Sequence, residues 1–302
     1  MNSGIINVYK EAGYTSFDVV ARLRGILKIK KIGHTGTLDP DATGVLPVCI
    51  GKGTRVCDLL TDKDKVYEAE FRLGITTDTY DISGKILSEN TVDSTEEEVN
   101  ETIRKFEGDI MQIPPMYSAL KVDGKKLYEY ARAGVEIERK ARPVTIFSID
   151  IIKVSLPDVT IRGHCSKGTY IRSLMYDIGK ELGCGAVMTS LVRTKVGNFD
   201  ISEARNLNEI ERIFQAGNID KIITKTDEIF DSYSTLFVFG DDEVIKHAIN
   251  GCVIEIDQVF SESVSIFSDG DRFRIYLPDN RFLGIYEYKE DLGFKLQKMF
   301  LE

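Results

Sequence analysis

The densest set of chemically capable residues is the run Gly33-His34-Thr35-Gly36-Thr37-Leu38-Asp39-Pro40-Asp41-Ala42-Thr43-Gly44-Val45-Leu46. Its glycines let the backbone take positive φ and approach a ligand closely. Pro40 fixes the chain after Asp39 and biases Asp39 itself toward an extended conformation. An aspartate held this way can act as a nucleophile, as a general base, or simply as a turn cap through its side chain. Spacing alone favours the cap. Asp39 and Asp41 make a poor glycosidase pair, because residues two apart on a loop give no control over carboxylate separation. Other chemistries lack their motifs. There is no GxxxxGK[ST] phosphate loop, no HExxH and no GxSxG elbow, and Gly51-Lys52-Gly53 alone is too little for a nucleotide site. Cys49, Cys57, Cys165, Cys184 and Cys252 are scattered, with no CxxC pair and no histidine cluster beside them. They read as free thiols in a reducing cytosol, and nothing calls for a metal or an organic cofactor.

Several elements must position this loop. Phe17, Val19, Val20, Leu23, Ile26 and Leu27 recur at helical spacing and predict a helix over Thr15–Lys30 with Ser16 as its N-cap. Leu46–Ile50 is short, apolar and strand-like, and Val66–Leu73 alternates, with Tyr67, Ala69, Phe71 and Leu73 on one face. A second helix is expected over Thr95–Phe106, opened by a capping box at Ser94 or Thr95. Residues 110–142 begin at Pro114-Pro115, interleave tyrosines with lysines, and read mainly as a long functional loop with a short helix near Lys126–Ala133. Val144–Val154 and Val159–Cys165 predict two strands turning near Pro157, followed by a helix over Tyr170–Leu182 that stops at Gly183. From about Leu236 short runs (Val253–Ile256, Val264–Phe267, Phe273–Leu277, Phe282–Tyr286) separated by Asp, Gly and Asn predict a small all-β module. A boundary is expected within residues 215–240.

The 302 residues carry a net charge of −9, which at first sight argues against a nucleic-acid partner. The charge is unevenly spread. Lys and Arg outnumber Asp and Glu 8 to 5 in residues 1–60 and 14 to 8 in residues 113–195. A phosphate backbone responds to the local face rather than to the total. No apolar run approaches the roughly 18 to 20 residues that span a bilayer, and Met1–Lys10 has no signal-peptide pattern, so a cytoplasmic protein without membrane contact is expected.

The run GHTGTLDPDATGVLPVCIGKGTRV (33–56) resembles the signature of the TruB family of tRNA pseudouridine synthases, in its bacterial form. So do KVYEAEFRLGITTDTYDISG (65–84), QIPPMYSALKVDGKKLYEYARAGVEIERKARPVTI (112–146), HCSKGTYIRSLMYDIGKELGCGA (164–186) and LVRTKVG (191–197). The blocks stand in family order and cover most of residues 1–200. The resemblance implies an α+β catalytic domain over 1–230, built on a mixed, largely antiparallel sheet. It also implies a mobile thumb loop over about 110–142 and a small all-β PUA-like RNA-binding domain over 236–302.

By the same resemblance Asp39 is the catalytic carboxylate, Tyr67 stacks on the target base and helps remove the C5 proton, and Arg172 pairs with Asp39 to keep it ionised and oriented. Tyr170 and Leu191 line the pocket, and His34 organises the flipped nucleotides. Lys121, Lys125, Lys126, Arg132, Arg139, Lys140 and Arg142 of the thumb become phosphate contacts. Arg55 stands where many relatives are expected to have lysine; it keeps the charge but alters the phosphate geometry. The implied reaction converts uridine 55 in the tRNA T loop to pseudouridine, without cofactor or obligatory protein partner, in a monomer. The route (attack at C6, attack at C1′, or a glycal) stays open. A guide-RNA-dependent synthase and a non-catalytic tRNA-folding protein are the alternatives. An absolute need for partner proteins and a guide RNA would mark the first, and indifference to Asp39 the second.

Overall fold

The computed structural model describes residues 3–261 and 266–301. Its first body is a ten-stranded mixed sheet. Across the main path the strands run Ile223–Thr224, Gly4–Lys10, Thr43–Ile50, Ala186–Val196, Lys65–Leu73, Asp158–Cys165, Arg142–Ser155 and Gly108–Gln112. Among the described residues the one parallel pairing of this sheet joins Thr43–Ile50 to Ala186–Val196, with Val192 opposite Thr43 and Arg193 opposite Gly44. This seam lies at the middle of the sheet, and the Gly33–Gly44 loop enters it directly.

Local chemistry explains most elements. Thr15 caps the helix Ser16–Leu27 through a reciprocal box with Asp18. Ser16, the expected cap, is instead buried at the first helical position, where its hydroxyl accepts from the Leu38 N–H at 3.0 Å. The cap moves by one residue because that hydroxyl is needed to hold the loop. Val19, Val20, Leu23, Ile26 and Leu27 bury against Ile6, Val8, Leu46, Val48 and Ile50 of the sheet, each large aliphatic side chain contributing roughly 2 kcal/mol. On the strand Lys65–Leu73 the expected alternation holds: Tyr67, Ala69, Phe71 and Leu73 join the core cluster that packs under the helices Glu96–Arg104 and Ile171–Glu181. Thr95 caps the former helix with Glu98 as its partner, and Gly183, at φ 77°, follows the latter.

The 110–142 segment is more ordered than a loop. Gly108–Gln112 and Arg142–Ile146 pair antiparallel at its base. Beyond them a small hairpin, Lys121–Val122 with Lys125–Lys126, turns through Asp123 and Gly124, both at positive φ, and leads into the helix Leu127–Arg132.

The second body is a five-stranded sheet (Val259–Phe260, Ser234–Val238, Arg272–Tyr276, Phe282–Lys289, Gly293–Met299) with a helix, Asp242–Ile249, that the sequence reading did not contain. Val253–Ile256 forms no strand. Ile254 alone bridges Phe294, and a box between Glu255 and Gln258 turns the chain into a 3-10 turn. Of the run Val264–Phe267, the first two residues lie outside the described residues, and Ile266 and Phe267 form no strand. This body is clamped onto the first. Ile285 and Phe300 share a cluster with Ile5, Val45, Cys49, Val56 and Phe230, and Lys298 pairs with Asp58 at 2.6 Å.

Gly44 makes the seam possible. At φ 106°, a Cβ there would stand 2.2 Å from the Arg193 carbonyl oxygen. Gly44→Ala is therefore expected to destabilise the fold by at least ~2 kcal/mol, read as a fall of several degrees in melting temperature; an unchanged melting curve would show that the seam can open without cost.

Candidate active site

The guanidinium of Arg172 is the centre of the cleft. The residue is 5% exposed, in the first turn of the helix Ile171–Glu181. Its Nη2 donates to one oxygen of Asp39 at 3.1 Å, and its Nε lies 3.0 Å from the other, a bidentate ion pair. Nη2 also donates to the Tyr117 carbonyl at 2.9 Å, and Nη1 to the Thr79 carbonyl at 3.1 Å and to Asp81 at 3.4 Å. Both terminal nitrogens of the guanidinium thereby make two hydrogen bonds each.

Asp39 reaches this pair from a loop that is fixed on both sides. Leu38 hangs on Ser16, and the Ala42 N–H closes a turn onto the Asp39 carbonyl at 3.2 Å. Lys10, fully buried at the end of its strand, donates to the carbonyls of Pro40, Ala42 and Glu11 at 2.9, 2.6 and 3.1 Å. The Asp39 side chain keeps 39% of its exposure, so it is open to a ligand yet flanked by protein. Burial raises its pKa above the ordinary carboxylate value. Arg172 opposes that rise, Asp81 adds to it, Lys10 opposes it, and Asp41 adds a little more. The pair thus orients Asp39 while only partly offsetting its desolvation. Burial also pulls Lys10 down to about 8, against the pull of Asp39 and then Asp41.

Tyr67 and Leu191 are buried in the core cluster that also holds Leu38 and Ala42. Burial raises the Tyr67 pKa, so at neutral pH its phenol keeps its proton; Arg193 pulls the other way. Tyr170 is half-buried at the cap of the Arg172 helix, with its backbone N–H and carbonyl both bonded to the buried side chain of Gln112. His34 packs edge-on to Phe17, its Nδ1 accepts from the Gly36 N–H at 3.3 Å, and burial lowers its pKa. The structure therefore brings Asp39 and Arg172 into direct contact, with Tyr67, Leu191, Tyr170 and His34 on the elements that surround them.

The expected phosphate contacts divide. Lys121, Lys125, Arg132 and Arg142 are exposed or half-exposed on the thumb; Lys125 lies over the Tyr130 ring, and Lys126 and Arg132 lie over Tyr128. Arg55 is drawn elsewhere: Nη1 donates to the Met299 carbonyl at 2.9 Å, and neighbouring Lys52 donates to Leu301, so both cations hold the C-terminal body. Arg139 ties the thumb's two ends by donating to the Pro114 carbonyl at 3.1 Å, and it neighbours the Tyr80 hydroxyl.

Sequence reasoning missed Lys10, Asp81, Arg193 and Tyr80. Lys10 and Arg193 were not singled out; their burial follows from the seam, where Arg193 donates to the Val45 carbonyl at 2.7 Å. Tyr80 takes φ 65°, a left-handed conformation strained for an aromatic residue. Its ring stacks on Tyr176 at 4.0 Å, and this turn aims both the Thr79 carbonyl and the Asp81 carboxylate at Arg172. The only legible signal was the density of Asp and Thr in Thr76–Asp81.

Cavities of about 280 and 270 Å³ lie at Leu27, Phe214 and Ile223 and at Asp64, Arg162 and Lys195. Neither includes a residue of this cleft.

A central seam of this kind, with a carboxylate loop on one side and a buried arginine helix on the other, has the architecture of a pseudouridine synthase. A Cbf5-Nop10-Gar1 complex shares the fold at a TM-score of 0.73 and 26% identity, covering 99% of this chain and 85% of that one. An H/ACA RNP bound to a substrate RNA containing 2′-deoxyuridine superposes equally well, at 0.73, with 24% identity and the same coverage.

The family is closer than the fold. Residues 24–171 match the TruB family pseudouridylate synthase (N terminal domain), and residues 172–231 match the tRNA pseudouridylate synthase B C-terminal domain. The tRNA pseudouridine synthase B of Lachnoclostridium phytofermentans is 50% identical over 308 residues, covering 99% of this chain and 100% of the relative; that of Clostridium novyi is 49% identical over 299 residues with the same coverage. The chain belongs to the TruB family of pseudouridylate synthases.

The charges of the site set a pH dependence. Activity that needs the Asp39 carboxylate is lost as pH falls through a pKa raised above the usual carboxylate range. Activity that needs the Lys10 ammonium is lost as pH rises past about 8. A bell-shaped rate profile is expected. Lys10→Arg, charged far above that range, should move the alkaline limb upward; an unmoved limb would assign it to another group.

Proposed function

We propose that the chain isomerises uridine 55 in the T loop of tRNA to pseudouridine, with Asp39 as the reacting carboxylate. The observation that carries this reading is the bidentate Asp39–Arg172 pair, buried on the arginine side and open on the carboxylate side. Family membership across the whole chain supports the reaction class.

The reaction breaks the N1–C1′ bond, rotates the uracil and joins C5 to C1′; the C5 proton leaves and N1 gains one, so composition is conserved. An ionised Asp39 can add to the base or sugar, or stabilise cationic character at C1′. A folded T loop hides its uridine, so the base must leave the stack at a cost of a few kcal/mol. Tyr67, protonated at neutral pH, serves as a stacking surface rather than a ready phenolate. Leu191 and Tyr170 complete the apolar wall. The thumb, whose carbonyls at Ile113 and Tyr117 already bond Ser173 and Arg172, lies where it can cover the RNA, with Lys121, Lys125, Lys126, Arg132 and Arg142 toward phosphates.

The chain divides into a catalytic region of residues 1–230 and a PUA-like RNA-binding module of residues 236–302. Arg55 and Lys52 then act through that module's placement as much as through phosphate. A monomer acting in the cytoplasm without a guide RNA completes the reading.

Tritium release from a tRNA transcript labelled at C5 of uracil tests it, with EDTA present. Wild type is expected to release label stoichiometrically, and a transcript with cytidine at the target should release none. Asp39→Asn should lose at least roughly a thousandfold in rate, about 4 kcal/mol of barrier, while still binding tRNA. Full activity of Asp39→Asn would remove Asp39 from the chemistry.

A further inference from the structure

Gly33 stands directly opposite Cys49 where the strand Ile32–His34 pairs antiparallel with Thr43–Ile50. Side chains of such a pair point to one face, with Cβ atoms about 4.5–5.5 Å apart. Gly33 has none, and the space is filled from outside the sheet: a Cβ there would lie 3.2 Å from Cys57 Sγ. Two thiols from different elements therefore meet on one face. Cys49 is fully buried in the cluster that joins the two bodies, and Cys57, half-buried at the start of the helix Cys57–Thr61, packs against it.

The two thiols are not equivalent. Cys49 donates its S–H to the Cys57 sulfur, which holds the Cys57 pKa below the ordinary thiol value; burial and then Asp58 oppose that, and Lys298 adds to it. The same hydrogen bond, followed by burial, pushes Cys49 up. Cys165, buried elsewhere, is pushed up to about 11 by burial. A partly accessible thiolate beside a buried, protonated thiol is the arrangement of a reactive cysteine and its resolving partner.

We propose that Cys57 and Cys49 form a peroxide-reactive dithiol, Cys57 attacking and Cys49 resolving, whose disulfide loosens the strand that carries His34. The Cys57 thiolate attacks one oxygen of hydrogen peroxide: an S–O bond forms, the O–O bond breaks, and the departing hydroxide takes a proton to become water. The Cys49 sulfur then attacks the Cys57 sulfenic acid: S–S forms, S–O breaks, and hydroxide leaves with the Cys49 proton as a second water. The thiol pair loses two electrons and the peroxide gains them. A disulfide holds its sulfurs about 2.05 Å apart, so Cys57 must give up its contact under Gly33, one residue from His34. A transient bond of this kind is compatible with a reducing compartment. The thiol chemistry is independent of the T-loop reading; its effect on RNA rests on it.

The test uses full-length Cys252→Ser protein, which lacks the exposed thiol, treated with hydrogen peroxide, denatured, alkylated and peptide-mapped. The expected product is an internal disulfide joining Cys49 to Cys57, with Cys165 and Cys184 still alkylated, and reversed by dithiothreitol. Cys49→Ala should stop at a Cys57 sulfenic acid that dimedone traps, and Cys57→Ser should keep Cys49 reduced. Oxidised protein should bind a T-arm stem-loop RNA at least roughly fivefold more weakly, with dithiothreitol restoring affinity and Cys57→Ser indifferent to peroxide.

Full alkylation of Cys49 and Cys57 after peroxide, or a disulfide through other cysteines, would overturn the proposal. RNA affinity unchanged by the mapped disulfide would overturn its link to the His34 strand. Reduced protein that binds T-arm RNA no better than unrelated RNA would overturn the T-loop reading, while the peptide map still decides the thiol pair.

Discussion

One buried guanidinium organises the catalytic end of this molecule. Arg172 is 5% exposed, so its charge must be met by protein acceptors. Those acceptors come from three segments remote from its own helix: Asp39 on the glycine-rich loop, the Thr79 carbonyl and Asp81 beyond the strand Lys65–Leu73, and the Tyr117 carbonyl in the thumb. Two carboxylates against one buried cation would leave net negative charge in a low dielectric. Lys10, held by three carbonyls beside Asp39, partly compensates. Asp39 is therefore positioned by a charge balance that spans the sheet.

That balance has backbone costs, and they fall where the sheet turns parallel. Gly44 and Arg193 meet at a distance that admits no side chain on Gly44, and Arg193 turns inward to satisfy Val45. Tyr80 accepts a left-handed backbone so that Thr79 and Asp81 converge on one donor, and its stack on Tyr176 opposes the strain. The thumb shares the same guanidinium as Asp39. A change at the Tyr117 carbonyl must alter what Arg172 has left to give the carboxylate, so the thumb and the orientation of Asp39 are linked through one residue.

Much of this was legible in the sequence, for reasons that differ between elements. The strand Lys65–Leu73 and the helices beginning at Ser16, Glu96 and Ile171 declare themselves through periodicity and caps, because each buries one face against a single layer. Asp39, Arg172, Tyr67, Tyr170, Leu191 and His34 were named through family motifs rather than through spacing, which favoured a turn cap for Asp39. Lys10 and Arg193 were not legible, since a charged residue shows its burial only once long-range strand pairing brings carbonyls to it. Arg55 illustrates the converse. A cation in a glycine-rich turn reads as a phosphate contact; that the C-terminal strand, over two hundred residues later, also takes one N–H of this exposed guanidinium could not be read there. The thumb hairpin escaped because its strands are two residues each, and Val253–Ile256 failed as a strand because Glu255 and Gln258 close a local box first.

The planar fork of Arg172, rather than its charge alone, holds Asp39 in place. The most direct measurement is the single-turnover rate of Arg172→Lys against pH. An ammonium keeps the charge but cannot grip both oxygens of Asp39 while also bonding Asp81 and two carbonyls. The expected loss is at least roughly a hundredfold, about 2.7 kcal/mol of barrier, with the acid limb moved to higher pH as Asp39 loses its closest donor. An Arg172→Lys enzyme with wild-type rate and an unmoved acid limb would contradict it.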